Sequence, residues 1–174
     1  MFKPTKIIIH CSDSEWGDAD IIDYWHRERG FDENGYNKII LNGRNSSQAS
    51  YDIRIDGIIE DGRPLTKQGA HCKGHNHDSI GICLIGVDEF TLAQYKSLKE
   101  LCERLMEEYG ISSDDIYGHN EFSDKTCPNF NVDDFVEAHL AEPTALAFTD
   151  MSSDIVTDEE MLDCMQTLRR YFKQ

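Results

Sequence analysis

Residues 118–130 read GHNEFSDKTCPNF. Within this stretch His119 stands eight positions before Cys127, Lys125 two before that cysteine, and Pro128 directly after it. The spacing is too long for one helical turn and too wide for a tight metal knuckle. An imidazole and a thiol so placed reach one metal ion only if a loop folds them together. Two ligands do not make a site, so a third has to come from elsewhere in the chain.

Working outward, DDIYGHN (114–120) reads as a short strand running into this loop, and NVDDFVEAHL (131–140) as a short closing helix. At the other end, KIIIHCS (6–12) is a β-branched run with the character of a buried strand. It ends at His10, where a strand leaves a core. DADIIDYWHRERG (18–30) carries apolar residues at 21, 22 and 25, with Asp18 or Asp20 as N-cap and Gly30 as stop, which predicts a helix. GYNKIIL (35–41) is a second strand, and SIGICLIGV (79–87) is the best candidate for a central one. Thr91 caps a helix over 91–110 that ends at Gly110. Its apolar stripe is Leu92, Tyr95, Leu98, Leu101, Cys102, Leu105 and Met106.

Between these elements NGRNSSQASYD (42–52) is a polar loop, and IRIDGIIE (53–60) predicts a hairpin turning at its Asp-Gly pair. GRPLTKQGAHCKGHNHDS (62–79) is a long loop bearing glycines and histidines, and loops of that length inside a compact domain usually serve function. Alternating strands and helices imply an α/β fold, a mixed central β-sheet flanked by helices. Residues 1–140 make one domain and 141–156 a linker by composition. Residues 157–174 form an added C-terminal amphipathic helix with Met161, Leu162, Met165, Leu168 and Phe172 on one face. An isolated helix of that length is marginal in water. Its apolar face therefore calls for a surface on this domain, a protein partner or a second copy.

A net charge of −16 over 174 residues argues against nucleic acid and anionic membranes as partners, since both attract cationic surfaces. No apolar run is long enough for stable membrane insertion. The opening MFKPTKIIIHCSDS lacks the long apolar region of a signal peptide, so a cytoplasmic protein with reduced thiols is expected. Six cysteines, at 11, 72, 83, 102, 127 and 164, form no CxxC pair and mostly read as small buried apolar residues. Only Cys127 has the polar, histidine-bearing surroundings of a ligand.

His10 is the natural third ligand. Two nitrogens and one sulfur leave a fourth position open, the form that catalytic zinc takes, whereas a fourth ligand from His71, His75 or His77 would close the site into a structural one. IIIHCS, GYNKII, GAHCKGHNHDSIGICLIG and GHNEFSDKTCPNF follow one another in order. In this the chain resembles the zinc-dependent N-acetylmuramoyl-L-alanine amidases of the type 2 family, which include phage lysozyme-like amidases and peptidoglycan recognition proteins. The resemblance covers roughly residues 5–140. It implies one Zn²⁺ per chain held by His10, His119 and Cys127, with Tyr36 and Lys125 as catalytic residues. It also implies His71, Asn76 and His75 in the substrate cleft, and peptidoglycan or a muropeptide as substrate. The presence of Cys127 favours an enzyme, on the pattern of an endolysin, over a non-catalytic peptidoglycan-binding or regulatory module on the same fold. Where the family often has histidine after the tyrosine, this chain has Asn37.

The chemistry implied is hydrolysis of the amide between the lactyl group of N-acetylmuramic acid and L-alanine. One thiolate ligand leaves the zinc site with a net charge of +1, which softens the Lewis acid. A cation such as Lys125 beside it would then favour the developing oxyanion, and Tyr36 would orient water or relay its proton.

Overall fold

The computed structural model describes residues 2–140. The linker and helix expected over 141–174, with Cys164, lie outside the described residues.

Ten elements follow in order: β1 (Lys6–Cys11), α1 (Ala19–Glu28), β2 (Lys38–Asn42), β3 (Asp56–Asp61), β4 (Ser79–Leu84), α2 (Leu92–Tyr109), a 3₁₀ turn (Ser113–Asp115), β5 (Ile116–Gly118), a second 3₁₀ turn (His119–Glu121) and α3 (Val132–His139). The strands form one sheet in the order β3-β2-β4-β1-β5. β1 pairs in parallel with β4 and β5, β2 pairs in parallel with β4, and β3 runs antiparallel along the edge of β2. The mixed sheet flanked by helices is the expected α/β architecture. β4 is the middle strand and every residue of it is buried, as its unbroken apolar run requires.

Successive side chains of a strand point to opposite faces. Ile7 and Ile9 of β1, Ile80, Ile82 and Leu84 of β4, and Ile40 of β2 meet Leu98, Leu101, Cys102 and Leu105 of α2 and Val132 and Phe135 of α3. Gln94 of α2 is fully buried here, and its Nε2 donates to the carbonyls of Ile40 and Ile85, locking the helix to the sheet. On the opposite face Ile39, Leu41, Cys83 and Ile85 pack with Ile22 and Trp25 of α1. His10 and Gly81 belong to this second face, where α1 leaves part of the sheet to be covered by loops.

The caps follow the sequence. Asp18 accepts from the Ile21 amide, Thr91 forms a capping box with Gln94, and Gly110 closes α2 at φ +69°. Two expectations are corrected. The Asp56-Gly57 pair is not a hairpin turn. Gly57, at φ +77°, lies in β3 itself, and the β2–β3 register shifts between Ile40 and Asn42, so the pair marks a bulge. The antiparallel partner of β3 is β2, reached across the 43–55 connection. Leu92, placed on the apolar stripe of α2, is 88% exposed because it is the first residue of the helix and stands off the buried face. Cys11, Cys72, Cys83 and Cys102 are buried free thiols, as their composition suggested.

Candidate active site

Three segments converge on the face shared with α1. His10 is the penultimate residue of β1 and is 1% exposed. His119 opens the turn that leaves β5, which pairs with β1 and so sets the two histidines side by side, ring centroids 4.5 Å apart. The loop that follows returns to the sheet. The Asn120 amide donates to the Cys127 carbonyl (2.8 Å), and Asn129 Nδ2 donates to the Val87 carbonyl (2.5 Å). Cys127 is thereby brought against the end of β1. Its Sγ lies 3.8 Å from His10 Nδ1 and accepts from the Cys11 amide at 3.3 Å. One donor atom from each of His10, His119 and Cys127 lies within 4.8 Å of the others.

This donor set fits a zinc ion. Zn–S and Zn–N bonds of about 2.3 and 2.1 Å in a tetrahedron put sulfur and nitrogen about 3.6 Å apart, against the 3.8 Å observed between Cys127 Sγ and His10 Nδ1. Among the described residues no fourth histidine, cysteine or carboxylate joins the group. Electrostatics point the same way. Burial, then the charges of His71, His119 and Lys125, hold His10 well below the ordinary histidine range, and burial, then Lys125, lowers His119. Both imidazoles are therefore neutral near pH 7 and keep a lone pair for a metal. The thiol pair runs the other way without a metal: hydrogen bonding between Cys11 and Cys127 lowers Cys11 to about 7 and raises Cys127, so the charge falls on Cys11 and the proton on Cys127. The Cys11 amide aimed at Cys127 Sγ opposes that order, and a cation bound at Cys127 would draw the charge to it.

This group of donor atoms borders a cleft of about 550 Å³ lined by Tyr36, His71, Lys125, Arg29 and Asp13 among others. The Tyr36 ring lies 5.0 Å from that of His10, and burial raises its phenol well above the usual range, so it keeps its proton and can donate a hydrogen bond. Lys125 is exposed at the cleft wall. The residues offered for the substrate cleft separate. His71 lines the main cleft and, with Asn76, a neighbouring one of about 430 Å³. The Asn76 side chain is also committed to the backbone, its Oδ1 accepting from the His71 and Cys72 amides, both at 2.8 Å. His75 packs on the Phe122 ring, centroids 4.2 Å apart.

Sequence reasoning passed over His26. It is buried in α1, its Nδ1 accepts from the Gly35 amide at 2.8 Å, and its ring lies 5.3 Å from that of Tyr36. It therefore sets the backbone that carries Tyr36. Its position on the buried face of α1 was the available signal, since a histidine there needs a partner. Asn37 is fully buried and structural: its amide and Oδ1 pair with Gly81, and its Nδ2 donates to the Arg63 carbonyl.

The model of the N-acetylmuramoyl-L-alanine amidase family, Amidase_2, matches residues 2–130. The chain is 34% identical to an endolysin of Enterobacteria phage T3, over 75% of this chain and 87% of the relative. It is likewise 34% identical to an endolysin of Escherichia phage T7, over 72% and 81%. In structure it is similar to the N-acetylmuramoyl-L-alanine amidase LysC from Clostridium intestinale URNW, with a TM-score of 0.66 and 27% identity, covering 79% of this chain and 85% of the other.

Proposed function

Because this chain belongs to the N-acetylmuramoyl-L-alanine amidase family and so cleaves the amide between N-acetylmuramic acid and L-alanine in peptidoglycan, we propose that one zinc ion per chain, held by His10, His119 and Cys127, is the centre of that reaction. The observation that carries this reading is the convergence of three donor atoms within 4.8 Å of one another at a cleft that Tyr36 and Lys125 also line. When bound, zinc supplies the Lewis acidity that activates water and polarises an amide carbonyl. The chain's own residues do the rest. His10 and His119, kept neutral by burial, and the Cys127 sulfur, facing the Cys11 amide, hold the ion. Lys125 and the protonated Tyr36 phenol are hydrogen-bond donors for the oxygen on which charge develops, and such a donor contributes about 2–4 kcal/mol to lowering a barrier of this kind.

The endolysin relatives support a role in phage-induced lysis. In that role the protein waits in the host cytoplasm and meets the wall after release. No helix among the described residues is long and apolar enough to cross a membrane. The test is mass analysis of the products from purified peptidoglycan, with and without a chelator. Stem peptides beginning at a free L-alanine amine, and intact glycan lactyl groups, are expected only without the chelator. Glycan fragments, or undiminished release in its presence, would overturn the reading.

A further inference from the structure

The 62–78 loop and the start of β4 build a seat for one imidazole. The His71 ring lies in a slot that only glycine leaves open. A Cβ on Gly81 would stand 2.5 Å from His71 Cγ and Cδ2, and one on Gly69 would stand 2.5 Å from Cδ2. Contacts that short do not occur, so both positions need glycine while the ring is there. Asn76 pins the backbone at the base of this side chain through the His71 and Cys72 amides.

The polar contacts of that ring run in one direction. Ser79 is fully buried, and its Oγ donates its only proton to the His75 carbonyl at 2.5 Å. Towards His71 Nε2, 3.4 Å away, Ser79 Oγ is then an acceptor, so Nε2 of His71 carries the hydrogen. His71 Nδ1 is left with a lone pair, and it lies 3.0 Å from His10 Nε2. That contact needs a hydrogen on His10 Nε2. His10 Nδ1 is then the bare nitrogen, and it is the one beside Cys127 Sγ. Histidines that ligate metals commonly donate their second N–H to a carboxylate, carbonyl or water. Here the acceptor is the Nδ1 lone pair of a second imidazole. A carboxylate in its place would bring a further negative charge against the site, whereas the imidazole orients the ligand and brings none.

We propose that Ser79 and His71 are positioning residues that fix the tautomer of His10, so that Nδ1 is the atom presented to the metal. The proposal rests on the metal reading above, but its proton assignment can be read without metal. Nitrogen-15 NMR of the histidine rings in the full-length, metal-free protein at pH 8 should find the hydrogen of His10 on Nε2 and that of His71 on Nε2. In His71→Phe, which keeps a ring in the glycine slot, His10 should become a mixture of tautomers. Zinc affinity, measured by chelator competition, should fall by about 10–100-fold. His71→Asn restores an acceptor near the Nδ1 position and should recover most of the affinity. Ser79→Ala, which leaves the ring in place, should loosen the His71 tautomer and weaken zinc by a few-fold. A hydrogen on His10 Nδ1 in the wild type overturns the proposal, as does zinc affinity within twofold of wild type in His71→Phe. Should the wild type bind no zinc, the metal reading fails, and the NMR assignment still decides the hydrogen-bond chain. Should His71→Phe not fold, Ser79→Ala and the wild-type tautomers decide it.

Discussion

At the scale of single residues, the site works by burial and by where each hydrogen sits. Tyr36 and Lys125 line the cleft beside the proposed ligands and are not members of the donor cluster, so removing either should leave metal content intact. Tyr36→Phe and Lys125→Ala are expected to bind one zinc per chain and to cleave peptidoglycan about 100-fold or more slowly, as loss of one proton-transfer or oxyanion group does. Turnover on purified wall, with zinc measured on the same samples, checks this, and wild-type rates would remove those roles. His26 gives a pH prediction. Burial, reinforced by Arg29 and Arg63, lowers it from its ordinary value near 6.5, and its neutral Nδ1 accepts from Gly35. A lowered folded value means that the unfolded chain binds the proton more readily. Its contribution to stability is therefore complete above about pH 6.5 and is lost as pH falls through the folded value. His26→Gln, which keeps an acceptor but does not titrate, should show a shallower loss of stability below pH 6.5, by up to about 1.4 kcal/mol per pH unit. Urea unfolding of both proteins across pH 5–8 measures it, and parallel curves would contradict the assignment.

At the scale of elements, the polar residues at strand ends and in loops were the legible part. His119 with Cys127 across one loop stood out, and His10 at the end of an apolar strand, which alone reads as an ordinary packed histidine, gained meaning only beside them. The four motifs follow one order along the chain, and the sheet rearranges it, setting β1 between β4 and β5. The caps Thr91 and Gly110 were equally readable, and that of α1 was narrowed to Asp18 or Asp20, because capping is local chemistry. What escaped depends on neighbours distant in sequence. Gly57 looked like the corner of a hairpin, and only the pairing of β3 with β2 makes it a bulge. Ser79 and His26 gave no motif, since a serine starting a strand and a histidine in a helix become informative only once His71 and Gly35 lie against them. Asn76 is the element-scale test. Its Oδ1 satisfies two backbone amides at the base of the His71 loop, and an unmet buried donor costs about 1–3 kcal/mol. Asn76→Ala should lower the melting temperature by several degrees and weaken zinc binding in step. An unchanged melting temperature would show that the loop holds without it.

At the scale of the whole molecule, both faces of the sheet are packed within residues 2–140, with α2 and α3 on one and α1 on the other. The family match ends at residue 130. A chain ending at Glu142 is therefore expected to fold, hold zinc and cleave wall fragments, with any role of residues 157–174 appearing in stability or association. A folded, zinc-loaded truncation without hydrolysis would give that segment a part in catalysis. The central claim is that His10, His119 and Cys127 form one catalytic zinc centre, and Cys127→Ser tests it most directly, with zinc stoichiometry and peptidoglycan hydrolysis measured on the same folded sample. The account predicts that the variant keeps the wild-type circular dichroism spectrum, loses most of its zinc and releases no stem peptide. One zinc per chain and wild-type release in Cys127→Ser would contradict it.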